Sequence, residues 1–265
     1  MLKVNDQTIP YRQGIRVSDI VAACKPGADL FIVNGYPASA GTVLADGDIC
    51  CLIKRGEVPT AVEMQSMLMA RHTPGVHETV SSATVGIMGL GGLGSIVAGA
   101  LARIGVGKLI LADYDIVEPS NLNRQQYSIA QIGMPKTEAL KDNLLQMNPY
   151  VMIETVAIRL TEESIPDFFK EVDVLAECFD DPAMKAAALR AILTNMPHIG
   201  YVGASGLAGY DDNNNIKTQK IHDHVYIIGD GTSAAGPGQG LMAPRVGIAA
   251  HHQANQILRI LLGKD

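Results

Sequence analysis

The chain has 265 residues, which is enough for one large α/β domain or for a medium domain with a small appendage, but not for two full-size enzymes. Hydrophobic residues make up 47% and charged residues 18%, a composition that excludes disorder over most of the chain. The formal net charge of −6 argues against a general binder of nucleic acid or of anionic membranes, and leaves room only for a local phosphate site.

Residues 1–57 have the pattern of a small β-grasp domain. Alternation and turn signals predict the order ββαββ, which is typical of ubiquitin-like folds. The pattern predicts strands at residues 2–4, 8–11, 30–33 and 49–53 and a helix at residues 17–23.

A helical linker is predicted over residues 58–83. Thr60 and Glu63 have the spacing of a capping box just before an apolar helix face, which marks a new helix start. Met64 and Met67 on that face are interpreted as packing residues rather than as a cofactor feature, because methionine fills irregular interfaces readily.

From residue 84 to residue 265 strands alternate with helices, which predicts crossover units and a mostly parallel, Rossmann-like sheet. The predicted strands are 85–88, 108–112, 153–158, 172–177, 198–202 and 225–228. The predicted helices are 95–104, 135–147, 164–170, 181–194 and 246–262.

A glycine-rich turn at residues 89–94 directly follows an apolar strand and opens a helix. In that context glycines allow a tight turn and the close approach of phosphates to backbone N–H groups. Asp113 lies at the end of the next strand, where an acidic side chain can accept hydrogen bonds from ribose hydroxyls. The turn therefore predicts a nucleotide site, the alternative being glycines needed only for helix–sheet packing. These features alone do not distinguish NAD from ATP.

Two cations beyond this turn favour a triphosphate. A dinucleotide site needs no extra cations, because the glycine loop and the helix N-terminus already hold the pyrophosphate. Arg124 offers a planar fork for phosphate oxygens, and Lys136 brings a point charge to a helix start.

The stretch from Val117 to Tyr127, the glycine loop, Lys136 and the stretch from Gly240 to Val246 resemble the ThiF-type sulfur-carrier adenylyltransferases. These belong to the ubiquitin-activating-like superfamily that also includes MoeB. The resemblance extends over nearly the whole chain, in the form that carries a fused N-terminal ThiS-like domain. It implies ATP-dependent adenylation of the C-terminal carboxylate of a ThiS-like carrier in thiamine biosynthesis, by a homodimer.

The resemblance also implies residue roles. Arg124, Lys136 and Asp180 would be catalytic, and Asp180 would hold Mg²⁺, which fits its place after a strand at the ligand-binding edge of an open sheet. Arg71 would reach the phosphates of a neighbouring subunit, although a solvated linker arginine is the equal alternative. Asp180 and Asp181 could instead cap the next helix. The residues implied to bind ATP are Gly89, Gly91, Gly92, Gly94, Asp113, Asp115, Ser120, Asn121, Arg124 and Lys136.

The four cysteines limit the chemistry. Cys24, Cys50, Cys51 and Cys178 include no CxxC pair, so we expect neither the structural zinc of many relatives nor a disulfide framework. None lies in the later crossover loop, so a covalent carrier thioester or persulfide on this protein is not expected. The N-terminus lacks the apolar core of a signal peptide, and we expect a cytoplasmic protein without membrane or nucleic-acid association.

The predicted β-grasp domain does not end as a carrier ends. Carriers finish in Gly-Gly with a free carboxylate, whereas here residues 54–59 continue into the linker. We therefore expect a separate carrier as the substrate. Alternatives left open are adenylation of a molybdopterin-type carrier or a tRNA base, an NAD-dependent oxidoreductase, and a catalytically silent binding protein.

Overall fold

The computed structural model describes residues 1–72 and 75–264, which form two compact units, Met1–Glu78 and Thr79–Asp265. The predicted linker and C-terminal domain also include residues 73, 74 and 265, which lie outside this description. The boundaries 1–57, 58–83 and 84–265 stay predictions. Within the described residues, no helix combines the length and the apolar character that a membrane crossing requires.

The first unit is a five-stranded β-grasp sheet with helices on both faces. Strand order is β2-β1-β5-β3-β4, with β1 and β5 parallel and the other pairs antiparallel. Its elements are β1 (Leu2–Val4), β2 (Gln7–Ile9), α1 (Val17–Cys24), β3 (Leu30–Val33), β4 (Tyr36–Ala38), β5 (Ile49–Ile53), α2 (Ala61–Arg71) and the first residues of α3 (Val76–Ser82).

Strand β5 explains why this sheet has two covered faces. Side chains alternate along a strand, so Cys50 and Leu52 join the core beneath α1, while Cys51 and Ile53 join a second cluster with Met67 of α2. A strand buried on both faces has a continuous apolar sequence, as β5 does. The packing role predicted for Met67 is confirmed.

Helix α2 begins at the predicted capping box. The Thr60 hydroxyl accepts from the Glu63 N–H, and the Glu63 carboxylate accepts from the Thr60 N–H at 3.1 Å. Glu63 is only 3% exposed, and it also accepts from Asn5 Nδ2 at 3.0 Å and from the Lys25 ammonium. The cap therefore also ties α2 to the β-grasp sheet.

The second unit confirms the predicted Rossmann-like α/β fold. Its seven-stranded sheet has the order β11-β12-β10-β9-β6-β7-β8, in which every pair but β11–β12 is parallel. Its strands are β6 (Thr84–Met88), β7 (Lys108–Ala112), β8 (Met152–Val156), β9 (Val174–Glu177), β10 (Gly200–Ala204), β11 (Lys217–His222) and β12 (Val225–Gly229). Its further helices are α4 (Gly92–Ile104), α5 (Lys136–Met147), α6 (Ile165–Phe169), α7 (Pro182–Asn195) and α8 (Ala243–Leu261).

The strand order indicates where a ligand crevice lies. The chain runs from β6 to β7 and β8 on one side, and then returns to β9 and β10 on the other side of β6. Ligands of open α/β sheets bind at such a reversal, outside the carboxyl ends of the strands. The loops that follow β6, β7 and β9 are those that carry the predicted glycine turn, Asp113 and Asp180.

Candidate active site

A cavity of about 530 Å³ lies at the carboxyl ends of the central strands of the second unit. The predicted site residues that line it are Gly89, Gly91, Gly92, Asp113, Asp115, Arg124, Lys136 and Asp180. Residues from several distant parts of the sequence therefore meet at one site, as their positions after neighbouring strands predict.

The glycine loop is shaped by contacts that no side chain would tolerate. Gly89 has a φ of +87°, and a Cβ at Gly94 would lie 1.9 Å from the carbonyl oxygen of Gly89. Helix α4 follows with Gly91 as its N-cap, and no side chain caps it. The first N–H groups of α4 and the positive end of its dipole are thus suited to an anion.

Asp113 fixes the glycine loop as well as lining the cavity. One carboxylate oxygen accepts from the Leu90 N–H at 2.6 Å, and the other accepts from the Asp115 N–H at 2.9 Å. Tyr127 donates from its hydroxyl to the Leu90 carbonyl at 2.8 Å, and burial keeps the pKa of that hydroxyl well above its usual range. The loop is therefore held from both sides before any ligand binds.

The two predicted cations lie on the cavity wall. Lys136 is 6% exposed, and its Nζ donates to an Asp115 carboxylate oxygen at 2.8 Å. The Arg124 stem lies over Gly92, with Cγ 3.3 Å from a Cβ built there, and its guanidinium donates to Asn123 Oδ1 at 2.8 Å. Both charges are bound to nearby polar groups that an incoming phosphate could replace.

Asp180 and Asp181 are adjacent but have different surroundings. Asp181 is the N-cap of α7, and its Oδ1 accepts from the Ala183 N–H at 2.8 Å. The helix-capping alternative therefore holds for Asp181. Both residues are exposed and line the cavity, and Asp180 lies three residues past the end of β9.

Ser120, Asn121 and Gly94 do not line this cavity. Asn121 is buried in the turn that carries Arg124, where its carbonyl accepts from the Arg124 N–H at 3.1 Å and its Oδ1 from the Glu118 N–H at 3.0 Å. Ser120 precedes it in the same turn. Gly94 acts through close packing, and Arg71 is the last residue of α2 in the first unit. Their predicted ligand roles stay predictions.

Sequence reasoning missed an ion pair between buried Glu177 and Lys185, which lines the cavity. Glu177, at the end of β9, is 1% exposed, and Lys185 donates to its two oxygens at 2.9 and 3.2 Å and to the Ala204 carbonyl at 2.8 Å. Burial raises the pKa of Glu177, while Lys185 and the Phe179 N–H oppose that rise. A glutamate at the end of an apolar strand requires a partner, and a lysine in the next helix was the available signal.

Cys178 lines the cavity but is a poor nucleophile. It is 7% exposed, and burial raises the pKa of its thiol far above the ordinary value, so the reactive thiolate is suppressed. We expect iodoacetamide at pH 8 to label the half-buried Cys24 and to leave Cys178 unmodified. Mass spectrometry of the digested protein measures this, with urea-unfolded protein as the control in which both are labelled. Rapid labelling of Cys178 in the folded protein would contradict the expectation.

The sheet is mostly parallel, the glycine loop lies where its strand order reverses, and Arg124 and Lys136 line the same cavity. This combination places the chain among the E1-like adenylyltransferases. It belongs to the ThiF family, which matches residues 64–265, and residues 1–56 match the ThiS-like ubiquitin family.

Several curated proteins are similar to this chain. The molybdopterin-synthase adenylyltransferase of Escherichia coli is 30% identical over 193 residues, which is 70% of this chain and 76% of that protein. The ubiquitin-like modifier-activating enzyme 5 of Caenorhabditis briggsae is 32% identical over 177 residues, covering 64% of this chain and 40% of that protein. This chain likewise spans only 31% and 43% of two other curated relatives.

Solved structures agree with the fold. The E. coli tRNA N6-threonylcarbamoyladenosine dehydratase in complex with ATP has a TM-score of 0.69 and 20% identity, and covers 78% of this chain and 98% of that one. Its complex with AMP also has a TM-score of 0.69, with 19% identity, and covers 79% of this chain and 99% of that one.

Proposed function

We propose that this protein adenylates the C-terminal carboxylate of a separate ThiS-like sulfur carrier with ATP, as a step of thiamine thiazole biosynthesis. The observation that carries the proposal is the convergence of an uncapped glycine-loop helix, Arg124, Lys136 and Asp180 on one cavity. A nucleoside triphosphate needs both an anion site and additional cations, and this cavity offers both.

The reaction requires little acid–base chemistry. A carboxylate oxygen of the carrier attacks the α-phosphorus of ATP, a new P–O bond forms, and the bond to the β-phosphate oxygen breaks to release pyrophosphate. The attacking carboxylate is already ionised at neutral pH, so no strong general base is needed. Catalysis then depends on alignment and on neutralising charge, which we assign to Arg124 and Lys136.

Mg²⁺ fits the Asp180 side of the cavity as a nucleotide-bound ion. Within the described ranges, no three His, Cys, Asp or Glu side chains form a metal cage. Mg²⁺ is ordinarily bound through one or two carboxylates together with substrate phosphates, and the exposed Asp180 suits that mode. When bound, the ion supplies charge neutralisation on the phosphates.

The fused β-grasp unit supports a separate carrier as substrate. A chain that continues past β5 into α2, held by the Thr60 and Glu63 cap, presents no free C-terminal carboxylate at that point. We assign this unit a docking, regulatory or stabilising role. The homodimer, and the reach of Arg71 toward a neighbouring subunit, are part of the proposal through family resemblance.

The relatives suggest alternative substrates to a ThiS-like carrier. Proteins similar to this chain include a molybdopterin-synthase adenylyltransferase and, in Bacillus subtilis, a tRNA threonylcarbamoyladenosine dehydratase that is 34% identical over 131 residues. A molybdopterin-type carrier or a modified tRNA base therefore belongs in the same test.

Exchange of labelled pyrophosphate into ATP tests the proposal. We expect exchange only when a ThiS-like carrier ending in Gly-Gly is added, and none with a carrier that lacks its last glycine. A molybdopterin-type carrier and tRNA serve as parallel acceptors. Exchange with one of these alone, or exchange without any acceptor, would overturn the proposed substrate.

A further inference from the structure

The segment that follows Arg124 is fastened directly to the glycine loop. The Gln126 N–H donates to Ser95 Oγ at 3.1 Å, and Ser95 in turn donates to the Gly91 carbonyl at 2.7 Å. Tyr127 donates to the Leu90 carbonyl at 2.8 Å. Gln125, between these anchors and Arg124, therefore has a fixed place beside the N-terminus of α4.

The Gln125 side chain faces the cavity and is hardly exposed. The residue is 7% exposed and lines the cavity, and its Nε2 is the atom nearest to a Cβ built on Gly91, at 3.7 Å. Its Oε1 is buried and has no hydrogen-bond partner among residues 1–72 and 75–264. Buried carboxamides are nearly always hydrogen-bonded in the protein. An unpartnered oxygen alone would call for a donor, but rotation about the terminal torsion exchanges Oε1 and Nε2, so this carboxamide can present its donor to a ligand instead.

Resting on the function proposed above, we propose that Gln125 is a further nucleotide-binding residue whose Nε2 donates a hydrogen bond to a phosphate oxygen of ATP. Gly91 is the N-cap of α4, and the Arg124 stem covers the adjacent Gly92, so the carboxamide lies where the phosphates would bind. The terminal torsion of glutamine is soft, and either amide atom can turn to the cavity. Only the nitrogen suits phosphate oxygens, which are acceptors at neutral pH.

Binding of ATP and of adenosine to the full chain, measured by calorimetry and by competition, tests this role. Gln125→Met keeps the length and removes the donor, and Gln125→Glu keeps the shape and adds a negative charge. We expect Gln125→Met to weaken ATP binding about 10-fold or more, the scale of a hydrogen bond to a charged group, and Gln125→Glu to weaken it further. Adenosine has no phosphate, so its affinity should not change.

The exposed neighbour provides the control, because Gln126→Met should bind ATP as the wild type does. Wild-type affinity for ATP in Gln125→Met would overturn the inference. Equal weakening of ATP and adenosine would overturn it as well, because the side chain would then act on the nucleoside or on the fold. If the wild-type protein bound no ATP, the proposed function itself would fail, which is a different result from ATP binding that is insensitive to Gln125.

Discussion

Asp180→Ala is expected to lower carrier-dependent pyrophosphate exchange by about 100-fold or more while leaving the melting temperature within about 2 °C of the wild type. Asp180 is exposed at the cavity, so its removal opens no hole in the core. On the proposed function its carboxylate would hold the Mg²⁺ that neutralises the phosphates, and charge stabilisation aimed at a reacting group is a large part of catalysis. Asp180→Asn, which keeps the shape and removes the charge, should lose a similar fraction.

The neighbouring residue makes the control sharp. Asp181 carries the same charge and lines the same cavity, but one of its carboxylate oxygens caps α7. Asp181→Ala should therefore cost about 0.5–2 kcal/mol of stability, the range for a lost N-cap, with exchange largely retained. Thermal denaturation and exchange measured on both variants separate a catalytic loss from a structural one. Unchanged turnover in Asp180→Ala would remove that residue from the mechanism.

Local patterns predicted most of the fold because its central elements obey short-range rules. Apolar runs predicted strands β5 and β7, and a capping box predicted the start of α2. Strand β11 was missed because all six of its residues are exposed, so neither alternation nor an apolar run marks it. Strand β4 was also missed, and none of its three residues is buried.

The sequence predicted those site residues that directly follow a strand of the parallel sheet. The glycine loop, Asp113 and Asp180 follow β6, β7 and β9, whose carboxyl ends share one edge of the sheet. Which side chains pair was less predictable, because position after a strand does not say which residue of the next helix faces it. The contact of Lys185 with Glu177 depends on how α7 packs.

Motif position also does not reveal the direction of a side chain. Asn121, three residues before Arg124 in the same motif, is buried and accepts from the Glu118 N–H within the turn, and it does not line the cavity. Gln125 lies four residues further along and does face it.

Gly94→Ala is expected to have the other large effect, on both ATP binding and stability. The new methyl group would lie 1.9 Å from the Gly89 carbonyl oxygen and 3.3 Å from Ile87 Cγ2, and a backbone atom cannot move aside as a flexible side chain can. Either α4 or the glycine loop must shift by about 1 Å, and a misplacement of that size can cost about 100-fold in turnover. Overpacking of this kind also costs about 1–3 kcal/mol in stability.

Gly99→Ala in the same helix is the matched control. A methyl group there would meet only Met147 Sδ at 3.9 Å, an ordinary contact, and alanine within a helix is favoured over glycine by about 0.5–1 kcal/mol. Gly99→Ala should therefore keep ATP affinity and raise the melting temperature slightly, whereas Gly94→Ala should lose both affinity and stability. Calorimetry with ATP and thermal denaturation of the two variants measure these effects. Wild-type ATP affinity in Gly94→Ala would mean that the close approach of α4 to the glycine loop is not what positions the phosphates.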